Sequence, residues 1–342
     1  WAQRNSVLSA IYAQEGETLA AFEPFEISGI PIDRQFMNWN EIIQPPYDKD
    51  NVDAYTRCRV ILMNGIENNA VLTSHNLMRM IGNDEIKAQL SMIRRADSQQ
   101  QQTVNWLNPA VQSVAETTIG YEQVAVDLTA NLAKHESNDY FRQVLDFALL
   151  EDFDHLFRYG CLLEALEHKD PHDITQGKTE IKPGRPTVYH HRHPFDELRA
   201  HFQAGQVPVK TWMNYYTIVS AEQQTMLFYK AHGPEYPDDM ARKLYSEIAE
   251  VEEQHVSQYE TAGDPAGSPL EKMALIQLNE AYNYFSCAAT EPDDRIADIW
   301  MRFCEMEITH FMIVNELIKK FEKRDLREVM KIDRIEPLIV FE

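Results

Sequence analysis

Glu222, Glu252 with His255, Glu280, and Glu307 with His310 are metal-ligand residue types whose carboxylates recur at intervals of 30, 28 and 27 residues. Each lies inside an apolar stripe of helical spacing. Around Glu307 and His310 the stripe is Ile296, Ile299, Trp300, Phe303, Phe311, Val314, Leu317, Ile318 and Phe321; Glu280 lies among Met273, Ile276, Tyr284 and Cys287, and Glu222 among Tyr215, Val219, Met226 and Tyr229. Residues three apart share a helix face, so each Glu-x-x-His pair aims a carboxylate and an imidazole at one point. Four core-facing carboxylates without cations would cost several kcal/mol each or be neutralised by raised pKa values. Two divalent cations cancel that charge, and a mixed oxygen and nitrogen donor set suits iron or manganese better than a thiophilic metal. Glu253, Glu260, Glu305 and Glu322 fall off the stripe and read as surface charges.

The same chemistry is written twice. An ungapped offset of 155 residues lays Asp139, Asp152, His155, Leu163 and Asp170 over Asp294, Glu307, His310, Ile318 and Asp325. It also lays Asp97-x-x-Gln100 over Glu252-x-x-His255 and Glu67 over Glu222. Internal similarity over so long a period marks each copy as one structural unit. The first copy is weaker. Gln100 replaces a histidine, both pair carboxylates are shortened to Asp, and the third-helix position is ambiguous: Glu122 faces inward at a suitable spacing, whereas the offset sets Ala125 opposite Glu280. Glu67, Asp97, Gln100, Glu122, Asp152 and His155 therefore form a degenerate second site, expected to stay empty or to hold one weakly bound ion.

These ligands need helices to carry them. Periodicity and breakers predict helices near 53–80, 84–107, 110–134 and 139–168, then near 210–232, 238–261, 269–289 and 294–326, with "HGPEYPDD", "GDPAGSP" and "TEPDD" between the later ones. The fold class is all-α, two tandem four-helix bundles, with short connections that make neighbouring helices antiparallel. The expected organisation is an N-terminal helix (about 4–22) and irregular segment over 1–50, a first bundle over 51–170, a linker over 171–209, a second bundle over 210–326 and a tail over 327–342. The tail "IEPLIVFE" reads as a short strand that pairs with the 25–32 stretch. The "HHRH" run from His190 to His193 lacks helical spacing and adjoining carboxylates, so a loop cluster is the better reading. Tyr215, Tyr229, Tyr282 and Tyr284 read first as core packing, with a phenol beside the metals as the alternative.

Composition sets outer limits. With 342 residues, 44% of them hydrophobic, the chain has ample material for packed cores. A net charge of −22 argues against nucleic acid. No apolar run is long enough for a membrane span. Cys58, Cys161, Cys287 and Cys304 show no Cys-x-x-Cys spacing, so a reducing cytoplasm is the expected location.

The ordered set Glu222, Glu252/His255, Glu280, Glu307/His310 resembles the ferritin-like di-iron carboxylate superfamily, whose pattern is Glu, Glu-x-x-His, Glu, Glu-x-x-His on successive helices. The resemblance covers both repeats. It implies two iron ions, with manganese as the alternative, Glu252 and Glu307 bridging, one histidine on each metal, and Glu222 and Glu280 binding or bridging. The implied function is a di-iron oxidoreductase that reacts with O2 or peroxide in the second bundle, leaving open a small organic substrate and a homodimer. The alternative is a non-catalytic metal-binding, iron-handling or scaffold protein. Gln277 stands where rubrerythrins usually place a further glutamate, and their thiolate-iron domain has no counterpart here.

Overall fold

A computed structural model describes residues 21–186 and 192–341. The helix expected near 4–22 and the histidines His190 and His191 lie outside the described residues. The architecture is all-helical. Among the described residues, eight long helices carry it: α1 Ala54–Met80, α2 Asp84–Trp106, α3 Val114–His135, α4 Asp139–Glu167, α5 Val209–His232, α6 Asp239–Ala262, α7 Pro269–Thr290 and α8 Asp294–Glu322. None of the described helices is long and apolar enough to cross a membrane.

Local chemistry fixes the helix ends, and it repeats. Asn83, Ser113 and Asn138 accept hydrogen bonds from the backbone N–H groups that open α2, α3 and α4; Asp238, Ser268 and Asp293, each 155 residues on, do the same for α6, α7 and α8. α4 and α8 both end on left-handed residues, His168 and Lys323. The correspondence runs further than the sequence reading placed it. Short helices at Pro171–Thr175 and Leu326–Met330, capped by Asp170 and Asp325 and closed by left-handed Gln176 and Lys331, also match at that offset. Residues 171–176 and 326–331 thus belong to the repeat and not to a linker or tail.

Four helical hairpins, α1 with α2, α3 with α4, α5 with α6 and α7 with α8, form between sequence neighbours. How the hairpins assort differs from expectation. α3 and α4 pack on α5 and α6, while α1 and α2 pack on α7 and α8, so each group of four helices takes one hairpin from each repeat. Sequential closure of 51–170 and of 210–326 is replaced by an exchange.

Two buried carboxylates at equivalent positions lock this arrangement. Glu136, closing α3, accepts from Thr211 Oγ1 at 2.7 Å and Asn214 Nδ2 at 2.8 Å at the start of α5. Glu291, closing α7, accepts from Thr56 Oγ1 at 2.5 Å and pairs with Arg59 at 3.4 Å at the start of α1. Removing one partner of the buried Glu291–Arg59 pair costs about 3–5 kcal/mol. Where α1 crosses α5, Asn69 donates to Ser220 at 3.0 Å and a Cβ on Gly65 would lie 3.0 Å from Gln224 Nε2. Positions 65 and 69 map onto 220 and 224, so these are one contact seen from each repeat, the mark of a pseudo-twofold axis.

Described residues outside the repeats contact the helices: Ile30 donates its N–H to the Glu305 carbonyl at 3.0 Å, and its own carbonyl accepts from Thr309 Oγ1 at 2.7 Å. Ile335 at the tail and Phe22 exchange backbone hydrogen bonds at 2.9 and 3.1 Å, an isolated antiparallel bridge in place of the strand expected with 25–32.

Candidate metal centres

The exchange redistributes the ligands. Glu222 and Glu280 do not meet in one cluster with both histidine pairs, as the sequence suggested. Oxygen or nitrogen atoms of Asp152, Glu222, Glu252 and His255 lie within 4.8 Å of one another, and those of Glu122, His155 and Glu252 form a second such set. Glu252 belongs to both. This centre, between α3, α4, α5 and α6, holds four carboxylates and two histidines, all buried. The other centre, between α1, α2, α7 and α8, gathers Asp97, Glu307 and His310 within 4.8 Å, with buried Glu67, Gln100 and Glu280 on the same helices.

Both assortments of the hairpins give one centre with two histidines and one in which Gln100 replaces a histidine. What changes is the membership. His155 moves from the degenerate set into the complete one, and His310 moves the other way. The ambiguity on the third helix resolves in favour of Glu122. It enters one turn before the position of Ala125, and Gln277, its counterpart in the second repeat, donates to Glu280 Oε2 at 2.5 Å instead of joining the cluster.

In the first centre His255 turns Nδ1 toward Glu252 Oε2 at 3.1 Å and toward Asp152 and Glu222 at 3.6 Å. Its Nε2 lies 2.8 Å from Glu151 Oε2. Nε2 keeps its proton toward Glu151, so Nδ1 is the nitrogen that would give up its proton to bind a cation in the cluster, which is how an outer carboxylate fixes a ligating imidazole. Glu151 is itself clamped by Arg192 at 2.6 Å and Arg185 at 3.3 Å, both from the 177–208 segment. Burial opposes charge on Glu151, but His255 and Arg192 outweigh it and hold its carboxyl down to about 2. His155 Nδ1 lies 2.8 Å from Glu252 Oε1, and Tyr229 donates its hydroxyl to Glu122.

Sequence reasoning missed Glu151, Arg192 and Gln35. Glu151 stands next to a ligand but outside its stripe, and Arg192 and Gln35 lie in irregular segments without periodicity. Of the four tyrosines singled out, Tyr229 and Tyr284 bond cluster carboxylates. Tyr215 and Tyr282 bond backbone carbonyls elsewhere.

The donor set fits cations. Glu122 Oε2, Asp152 Oδ2 and Glu222 Oε1 are buried without a hydrogen-bond partner, a costly arrangement for ionised oxygens unless a cation completes it. Burial, reinforced by the neighbouring charge of Glu252, pushes the carboxyls of Glu122 and Glu222 well above the usual range. Burial pushes Asp152 up to about 7 despite His255 beside it. For Glu252 burial is outweighed by His155 and His255, so it stays ionised below the usual range.

These shifts give a pH dependence. An acid whose folded pKa is raised stabilises the fold fully below its unfolded pKa and loses that contribution as pH rises through the folded value. For Asp152 the loss runs from about pH 4 to about pH 7. Bound cations take over the neutralising role, and their binding releases the protons. The melting temperature of metal-free protein should therefore fall from pH 5 to pH 8, and the rise on adding metal should be larger at pH 8. An equal rise at both values would show that these carboxyls do not receive the metal.

No family model matches the chain, and neither the curated proteins nor the solved structures yielded a match. The geometry defines an all-helical protein with buried carboxylate and histidine clusters able to hold metal ions.

Proposed function

We propose that the chain is a di-iron oxidoreductase of ferritin-like type, built as two four-helix bundles with exchanged hairpins, whose working centre is formed by Glu122, Asp152, His155, Glu222, Glu252 and His255. The observation that carries this reading is that Glu252 is shared by two ligand sets, one with His155 and one with His255. A carboxylate common to two sites, each with its own imidazole, is what two ions held a few ångströms apart require.

Iron is preferred for redox work with this oxygen-rich, histidine-containing set, and manganese is the alternative. When bound, the pair would supply two electrons to O2 or peroxide. The chain's own groups do the rest. Glu252 and the two histidines, His155 and His255, would hold the ions together with Glu122, Asp152 and Glu222, and Glu151 holds the His255 ring and its outer proton. Tyr229 keeps Glu122 in place and, with fully buried Tyr259, helps to exclude water. A groove of about 800 Å³ reaches Tyr229 from outside, walled by Lys230, Asp239, Arg242, Lys243, Glu247 and Glu250. Its charged wall suits a small polar reactant better than an apolar one.

The test is anaerobic loading with ferrous iron followed by O2. The expected result is about two ions per chain at this centre, oxidised together from ferrous to ferric when O2 is admitted. Iron that binds but stays ferrous in air would leave the iron-handling reading in its place.

A further inference from the structure

We infer that the second centre, between α1, α2, α7 and α8, is a metal site of a different kind, which holds one ion on Asp97, Glu307 and His310 Nδ1. The inference stands on its own residues and not on the dinuclear reading. His310 Nδ1 lies 2.9 Å from Glu307 Oε2 and 3.2 Å from Asp97 Oδ1, and all three residues are fully buried. Its Nε2 is 2.6 Å from Gln35 Oε1, and Gln35 Nε2 donates in turn to the carbonyl of Ile30 at 2.7 Å. An amide whose nitrogen is already engaged presents only its oxygen, so Nε2 of His310 keeps a proton and Nδ1 is the nitrogen left to exchange its own proton for a cation at the carboxylates.

Unpartnered oxygens point to a ligand here. Asp97 Oδ2, Glu67 Oε2 and Glu280 Oε1 are buried with no hydrogen-bond partner, although Tyr284 and Gln277 serve the other oxygens of the two glutamates. A cation held by Asp97 and Glu307 would complete Asp97 Oδ2 and offset the charge of the two glutamates. One ion is the count because, among the described residues, one ligand set forms here, against two sharing Glu252 in the first centre. The nitrogen a second ion would take stands at position 100, where the side chain is a neutral amide. Two carboxylates and one imidazole, with Glu67 and Glu280 as further buried carboxylates on the same helices, favour a manganese or ferrous ion. Gln35, a neutral group, replaces the clamped Glu151 behind the histidine, so imidazole donation is weaker.

The experiment loads the full chain with manganous ion and reads the bound count with the paramagnetic resonance of the ions. The wild type should bind three, giving an isolated-ion signal together with that of a coupled pair. His255→Ala should keep the isolated ion, and Asp97→Asn, which preserves shape, should lose it and retain the pair. Gln100→His should convert the isolated signal into a second coupled one. A folded His255→Ala variant that binds no manganese would overturn the proposal, as would an isolated signal that survives Asp97→Asn. A wild type that binds only one ion, lost in Asp97→Asn, would uphold this site and refute the dinuclear reading instead.

Discussion

Glu252→Gln should remove both ions of the first centre at once. The amide keeps the shape of the side chain but cannot carry the charge that two ions share, and Glu252 is the one residue common to both ligand sets. Loss of an outer partner of a ligating histidine costs about 10–100-fold in affinity. Loss of the shared carboxylate should exceed about 100-fold at both positions. Glu253, adjacent in sequence, pairs with Lys230 at 2.9 Å at the surface, and Glu253→Gln should leave the count unchanged. Elemental analysis of the two variants, after equal exposure to metal, separates a shared ligand from a terminal one. Retention of one tightly held ion by Glu252→Gln would show that the two positions are independent.

Metal loading should raise stability by a large margin. A ligand that binds only the folded state adds about 4 kcal/mol when its free concentration is about 1,000 times its dissociation constant. Two ions at the first centre should together raise the melting temperature by on the order of 10 °C, because they also relieve the repulsion among Glu122, Asp152, Glu222 and Glu252. Differential scanning calorimetry of chelator-treated and reloaded protein measures the shift. A change of only a degree or two would mean that the carboxylates are neutralised by protons and not by metal.

Helix positions and the buried clustering of Asp, Glu and His side chains were legible in the sequence because they depend on local chemistry. The three-residue spacing of Glu252 with His255, the Asn and Asp caps and the breakers between helices all act within a turn or two. The assortment of hairpins was not legible. A duplication offers every hairpin two equivalent partners, and the 155-residue offset holds equally for both. The choice rests on contacts between residues far apart in sequence, such as Glu136 with Thr211 and Glu291 with Thr56 and Arg59. Ungapped alignment left the third helix ambiguous between Glu122 and Ala125, because the carboxylate that joins the first centre lies one turn before the position opposite Glu280. The ring-orienting groups Glu151 and Gln35 carry no periodic signal at all.

The assortment is the claim on which the rest depends, and two single variants address it. Each is loaded with iron, counted, and oxidised in air to reveal a coupled ferric pair. His155→Ala should lose the coupled pair, because His155 shares Glu252 with His255. His310→Ala should keep it, because His310 lies with Asp97 and Glu307 in the other group of helices. The reverse outcome, a pair that survives His155→Ala and vanishes in His310→Ala, would mean that each repeat closes on itself and would contradict this account.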